Sequence, residues 1–182
     1  MFRRVKGDHP NQVSPNIDPV RVESEETPME KTTKITVEMT FISPLVAAGK
    51  FRRSPEGVPM LTDYQWIGYV RERNKHGKYH RFFYKESDNP VSISSRYINL
   101  LDASPSYTDM FYTSFTDAYF GNETQVEVIP AGGRCLVTFI CRGEIALDAV
   151  KSALDEGHDH GFGLCRQNGY GRFTWKEVTD NE

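Results

Sequence analysis

The feature that most restricts the fold lies near the C-terminus, where a helix, a loop with two GxG pairs and a strand follow one another. Residues 145–154 place Ala146, Leu147, Ala149, Val150, Ala153 and Leu154 on one apolar stripe, the 3.6-residue period of a helix lying on a core. Gly157 reads as its C-cap. Residues 160–173 then carry Gly161, Gly163, Gly169 and Gly171, with Arg166, Gln167 and Asn168 between the pairs, and residues 171–178 read as the last strand. A dinucleotide or nucleoside-triphosphate loop follows a strand and opens a helix. This loop does the opposite and lacks the lysine and hydroxyl residue of a P-loop. Glycines here allow positive φ and bring bare N–H groups close to an anion, while Arg166, Gln167, Asn168 and Arg172 supply phosphate or base hydrogen bonds. Phe162 and Tyr170 serve either as faces for base stacking or as core-facing aromatics of a structural turn.

Upstream, residues 34–42 alternate apolar side chains at 35, 37, 39 and 41, the period of a half-buried strand, and Ser43-Pro44 ends it. Thr62-Asp63 caps a predicted helix to about residue 73, with Trp66, Tyr69 and Val70 on one face. Residues 79–84 read as a strand. Residues 124–129 and 134–141 are two strands joined by the turn 130–133. Residues 86–122 give no clear period and are expected to form an irregular insertion with short helical pieces. The order strand, helix, strand, insertion, strand, helix, strand fits an α+β, ferredoxin-like (RRM-like) βαββαβ core. Residues 1–31, with four prolines, an acidic run and no apolar period, are expected to form a disordered or loosely attached arm. Residues 32–182 are expected to form a single domain.

Composition narrows function. The formal net charge is −3, but residues 50–85 hold nine basic residues against three acids, and residues 86–127 hold seven acids against Arg96. Such segregation suits a basic patch on an acidic body, and phosphate binding follows the local field. No stretch has the length of a membrane span, no secretory leader is seen, and three unpaired cysteines suit a reducing cytoplasm. Neither a metal site nor a cofactor is expected: His158-Asp159-His160 offers two ligands without a third, and CxxC, HExxH and EF-hand patterns are missing.

Four segments, in order, carry a family resemblance. Phe41-Ile42-Ser43-Pro44-Leu45 is similar to the "SPL" that opens domains of the RAMP superfamily of CRISPR proteins. Gly57-Val58-Pro59-Met60-Leu61, followed by Trp66-Ile67-Gly68-Tyr69-Val70-Arg71, resembles that family's entry into its first helix. Glu127-Val128-Ile129-Pro130-Ala131-Gly132 resembles its "E-x-V-P-x-G" turn, and the GxG loop resembles its C-terminal signature. The pattern is closest to the backbone-type subunits that line guide RNA. The resemblance implies RNA binding largely independent of sequence, self-association or contact with other effector subunits along the RNA, a thumb-like insertion at about 86–122, and a part in antiviral defence. Two departures stand out. Asp63 occupies a place where small hydroxyl residues are expected. Residues 46–59 hold Glu56 but no aspartate, which argues against target cleavage.

The expected RNA-binding residues are Lys50, Arg52, Arg53, Arg71, Arg166, Gln167, Asn168, Tyr170 and Arg172, around Gly161, Gly163, Gly169 and Gly171. Two alternatives stay open. One is a metal-independent endoribonuclease of the same superfamily that processes precursor RNA, using His158 or His160 as general acid or base. The other is a protein-binding scaffold with an aromatic interface from Tyr107, Met110, Phe111, Tyr112, Phe115, Tyr119 and Phe120.

Overall fold

The computed structural model describes residues 31–47, 50–76, 78–80, 83, 89–103, 106–113 and 122–179. The expected N-terminal arm lies outside them, apart from Lys31. The elements are β1 (Thr32–Phe41), β2 (Leu45–Val46), β3 (Arg52–Arg53), β4 (Pro59–Thr62), α1 (Asp63–Arg73), β5 (Val91–Ile93), β6 (Tyr97–Asn99), β7 (Tyr107–Thr113), β8 (Asn122–Ile129), β9 (Arg134–Arg142), α2 (Gly143–Asp155), α3 (Gly157–His160), a 3₁₀ turn (Arg166–Asn168) and β10 (Phe173–Glu177). They make a mixed α+β fold with three antiparallel sheets, ordered β10-β1-β9-β5, β2-β8-β7 and β3-β4-β6.

Strand period sets the two faces of the main sheet. Val37 pairs with Val137, Met39 with Cys135 and Ile35 with Phe139, so all six share one face, and all six are buried. The helices cover that face: α2 packs on β1, β9 and β10, while α1 packs on β5 and α2. The opposite face is polar. Thr36 and Thr138 share a hydrogen bond of 2.9 Å, and Glu38 pairs with Lys176 at 2.9 Å and Arg134 at 3.4 Å. Burial also lifts the thiol pKa of Cys135 to about 12 and that of Cys141 to about 11, as expected of core cysteines.

Helix α1 starts where the sequence predicts. The Gln65 side-chain carbonyl accepts from both the Thr62 N–H and the Thr62 hydroxyl at 2.8 Å, reaching back over the first turn. Trp66, Tyr69 and Val70 are buried on its inner face. An aromatic cluster joins them to Phe41, Phe162 and Phe173, with the Trp66 and Phe162 rings stacked 4.0 Å apart between centroids.

Three sequence expectations need correction. Of the predicted strand 79–84, residues 81, 82 and 84 lie outside the described residues, and the described ones are not strand: His80 and Phe83 are helical, and the Phe83 N–H donates to the Tyr79 carbonyl. Tyr79 and Phe83 both meet the core, so the inward spacing is four residues, not two. The described part of 86–122 contains strands β5, β6 and β7 in place of helical pieces. Gly157 is not a left-handed cap; Glu156 ends α2 and Gly157 opens α3. A Cβ on Gly157 would sit 2.4 Å from the Phe173 ring, so close packing, not φ, requires glycine there.

Candidate nucleic-acid interface

The four segments that carry the family resemblance lie far apart in sequence and converge on β2. On one edge β2 pairs with β8, Leu45 opposite Ile129 and Val46 opposite Val128. On the other edge lies the glycine loop. Gly171 N–H donates to the Pro44 carbonyl at 2.8 Å, and Leu164 N–H donates to the Val46 carbonyl at 3.3 Å. The Arg172 carbonyl accepts from Ile42 N–H at 2.8 Å, while Arg172 N–H donates to the Ser43 hydroxyl at 2.8 Å. The proline-ended strand and the C-terminal loop therefore satisfy each other's backbone groups.

All four loop glycines have positive φ, but for different ends. At Gly171 a Cβ would stand 1.8 Å from the Phe162 carbonyl oxygen, and at Gly161 2.3 Å from the Tyr170 carbonyl oxygen. The loop crosses itself there, closed by Phe162 N–H donating to the Gly171 carbonyl at 2.8 Å. At Gly163 the Val46 carbonyl would be 2.9 Å away. At Gly169 the nearest atoms belong to the Arg172 guanidinium at 3.8 Å, so only the backbone conformation demands glycine. Phe162 is buried against Trp66 and has no face for a base, which corrects the stacking expectation. Tyr170 is half-buried and packs on Val46, Val126 and Val128 with Leu164.

The expected cations divide into two groups. Arg166 makes a two-pronged ion pair with Glu72 of α1, at 2.8 and 2.9 Å, tying the loop to the helix. Burial raises the Glu72 pKa, but hydrogen bonding and charge from Arg166, with help from Arg73, overcome this and hold it below its usual value. Arg53 pairs with Glu127, which is buried, and also donates to the Ser106 hydroxyl at 2.9 Å and the Gly57 carbonyl at 3.0 Å. Glu127 further accepts from Phe51 N–H at 2.7 Å and from the Ser106 hydroxyl. Burial pushes the Glu127 pKa up, yet Ser106, Phe51 and Arg53 together hold it low. Lys50, Arg52, Arg71, Gln167, Asn168 and Arg172 lie exposed. Glu127 stands inside a motif already singled out, but only the fold reveals that its carboxylate anchors residues 51–53.

A groove of about 250 Å³ runs between β2, α1 and the glycine loop. Phe51, Tyr69, Phe162 and Leu164 give it an apolar floor, and Gln65, Glu72 and Arg166 a polar rim. Neither His158 nor His160 lines it. Both are exposed on α3, and their contacts are carboxylates on or beside that turn: His158 Nδ1 to Asp159 at 3.0 Å, and His160 Nε2 to Glu156 at 3.8 Å. Among the described residues no three His, Cys, Asp or Glu side chains gather as a metal site would require, and no helix is long and apolar enough to cross a membrane.

The fold resembles that of solved CRISPR proteins, at low sequence identity. A chain in the cryo-EM structure of the type III-B Cmr-beta complex bound to cognate target RNA matches with a TM-score of 0.59 and 12% identity. That match covers 82% of this chain and 61% of the other, so this chain spans less than two thirds of its length. Cmr6 from Pyrococcus furiosus matches with a TM-score of 0.52 at 13% identity, covering 79% and 97% of the two chains. A chain of a type IV-B CRISPR complex matches at 0.51 and 12%, covering 82% and 92%. No protein-family model matches the sequence, and no curated protein does.

Proposed function

We propose that this chain is a CRISPR-associated, RNA-binding RAMP protein of the effector-backbone type, holding guide RNA largely without regard to sequence and without cutting it. The observation that carries this reading is the meeting of Ser43–Val46, α1, Glu127 and the glycine loop around β2. These segments, recognised separately in the sequence, meet through backbone hydrogen bonds, and β2, α1 and the glycine loop line one groove, in a fold like that of a chain in an RNA-bound type III-B structure. Exposed Lys50, Arg52, Arg71 and Arg172, with the amides of Gln167 and Asn168, supply the phosphate and sugar contacts. Arg53 and Arg166 act as braces that hold the segments bearing them.

The finer architecture is also a proposal. In chain order the main-sheet strands and two long helices run β1, α1, β5, β9, α2, β10, and the sheet order is β10-β1-β9-β5. This supports a ferredoxin-like βαββαβ core in residues 32–182; β5, from within the expected insertion 86–122, is then a core strand, and the insertion, with β6 and β7 as elaborations, follows it. The open sheet face presents Thr36, Glu38, Thr40, Leu136, Thr138 and Lys176, without an aromatic among them, so stacking of the RRM kind has no platform there. The RNA route in this reading follows the β2 side and not the sheet. Partners are guide RNA and neighbouring effector subunits, or further copies of this chain.

The test is incubation of purified protein with labelled single-stranded and repeat-hairpin RNA at two salt concentrations, read on native and denaturing gels. Intact RNA retarded more strongly at low salt is the expected result. Discrete metal-independent cuts in the hairpin would replace this reading with a processing nuclease.

A further inference from the structure

Arg53, Arg73, Arg134 and Arg166 have carboxylate partners. Arg52 and Arg96 do not; they share a tyrosine. In β3 successive side chains point to opposite faces, so Arg53 turns inward to Glu127 while its neighbour Arg52 turns out. Arg52 lies opposite Met60, and Tyr97 lies opposite Thr62, which places both on the same face of the β3-β4-β6 sheet. The Arg52 guanidinium donates to the Tyr97 hydroxyl and lies 5.1 Å from the centre of its ring. The Arg96 guanidinium lies 5.7 Å from the same centre. Tyr97 is 37% exposed, and both arginines are exposed.

The nearby acid does not neutralise this cluster. Asp63 N–H donates to the Arg96 carbonyl at 3.0 Å, but the Asp63 carboxylate accepts from Tyr64 N–H at 2.8 Å, in the first turn of α1. Asp63 thereby occupies the helix end, where an anion would otherwise find open N–H donors. Two guanidiniums drawn to one phenol make a local excess of positive charge, and their planar forks match phosphate oxygens.

We propose that Arg52, already counted among the exposed RNA contacts, is joined by Arg96 and Tyr97 in a phosphate-binding site for single-stranded RNA on the β3-β6 side of the molecule. This rests on the reading of the chain as an RNA binder and extends the path of the strand beyond Arg172 and Lys50.

The experiment is fluorescence anisotropy of a labelled uridine-rich single-stranded RNA with the full chain, titrated from about 50 to 200 mM salt. The Arg52→Ala, Arg96→Ala double variant is expected to keep the parental circular dichroism and melting profile. Its slope of log affinity against log salt should flatten by about 1.4, at about 0.7 per lost phosphate contact on a single strand. Tyr97→Leu, which removes the shared ring and hydroxyl but neither charge, should lower the affinity with a smaller change in slope. If the double variant keeps the parental affinity and slope while Arg172→Ala loses both, RNA binding at the glycine loop stands, and this site is overturned together with the contact assigned to Arg52. A parent that shows no salt-dependent binding overturns both together. Polyglutamate displacing the RNA from the parent at equal charge, but not from the double variant, would overturn the site in favour of an acidic protein partner.

Discussion

The inner and outer sides of the glycine loop use the same residue type for different purposes. On the inner side Gly161 and Gly171 let the chain cross itself at distances no Cβ allows, and Phe162, within the first pair, fills the core against Trp66. On the outer side Gly169 turns the chain in open space beside Arg172, with Gln167 and Asn168 exposed next to it. A GxG pattern therefore does not by itself mark a ligand loop. Half of this one is a fold-closing device, and the half that can reach RNA is the half whose glycine touches only a flexible guanidinium.

That contrast orders the effects of substitution. Gly171→Ala is expected to cost at least about 3 kcal/mol, because a left-handed conformation is strained for alanine and the overlap falls on backbone that cannot yield. A urea midpoint near the parental one would erase the difference between the two sides. Glu127→Ala comes next, at about 2 kcal/mol, since charged hydrogen bonds to Phe51, Ser106 and Arg53 are lost together. Because the folded pKa of Glu127 lies below its unfolded value, its contribution is complete above about pH 4.3 and disappears as the pH falls through the folded value. Urea midpoints taken from pH 7 down to 3 should fall at the acid end, and the fall should be shallower in Glu127→Gln.

Gly169→Ala carries only the conformational penalty, about 1 kcal/mol, and should leave a folded protein by circular dichroism. Unfolding on the scale of Gly171→Ala would show that the outer turn is as tightly built as the inner one. Arg172→Ala sharpens the comparison at its smallest. Stability should stay within about 0.5 kcal/mol of the parent, while the salt slope of RNA binding drops by about 0.7.

The sequence was legible where a period had room to repeat. β1 spans ten residues and α2 thirteen, long enough for alternation and stripe to declare themselves. β5 and β6 have three residues each, too few to set a period, and the seven residues of β7, YTDMFYT, do not alternate apolar and polar side chains. In residues 79–84 aromatic density suggested a strand, while the packing at Tyr79 and Phe83 follows helical spacing. Within the site, the glycines were legible because positive φ and close approach select for them locally. The roles of the arginines were not, because their partners are remote: Arg166 meets Glu72 across 94 residues, and Arg53 meets Glu127 across 74. Composition distinguishes a brace from a free cation only when both ends of the pair are known.

Amide hydrogen exchange on the full chain, with and without single-stranded RNA, tests the central claim most directly. The expected result is added protection across residues 166–172 and 50–53, with residues 161–162 unchanged because they are already buried and hydrogen-bonded. Bound RNA that leaves residues 166–172 exchanging as in the free protein would contradict it.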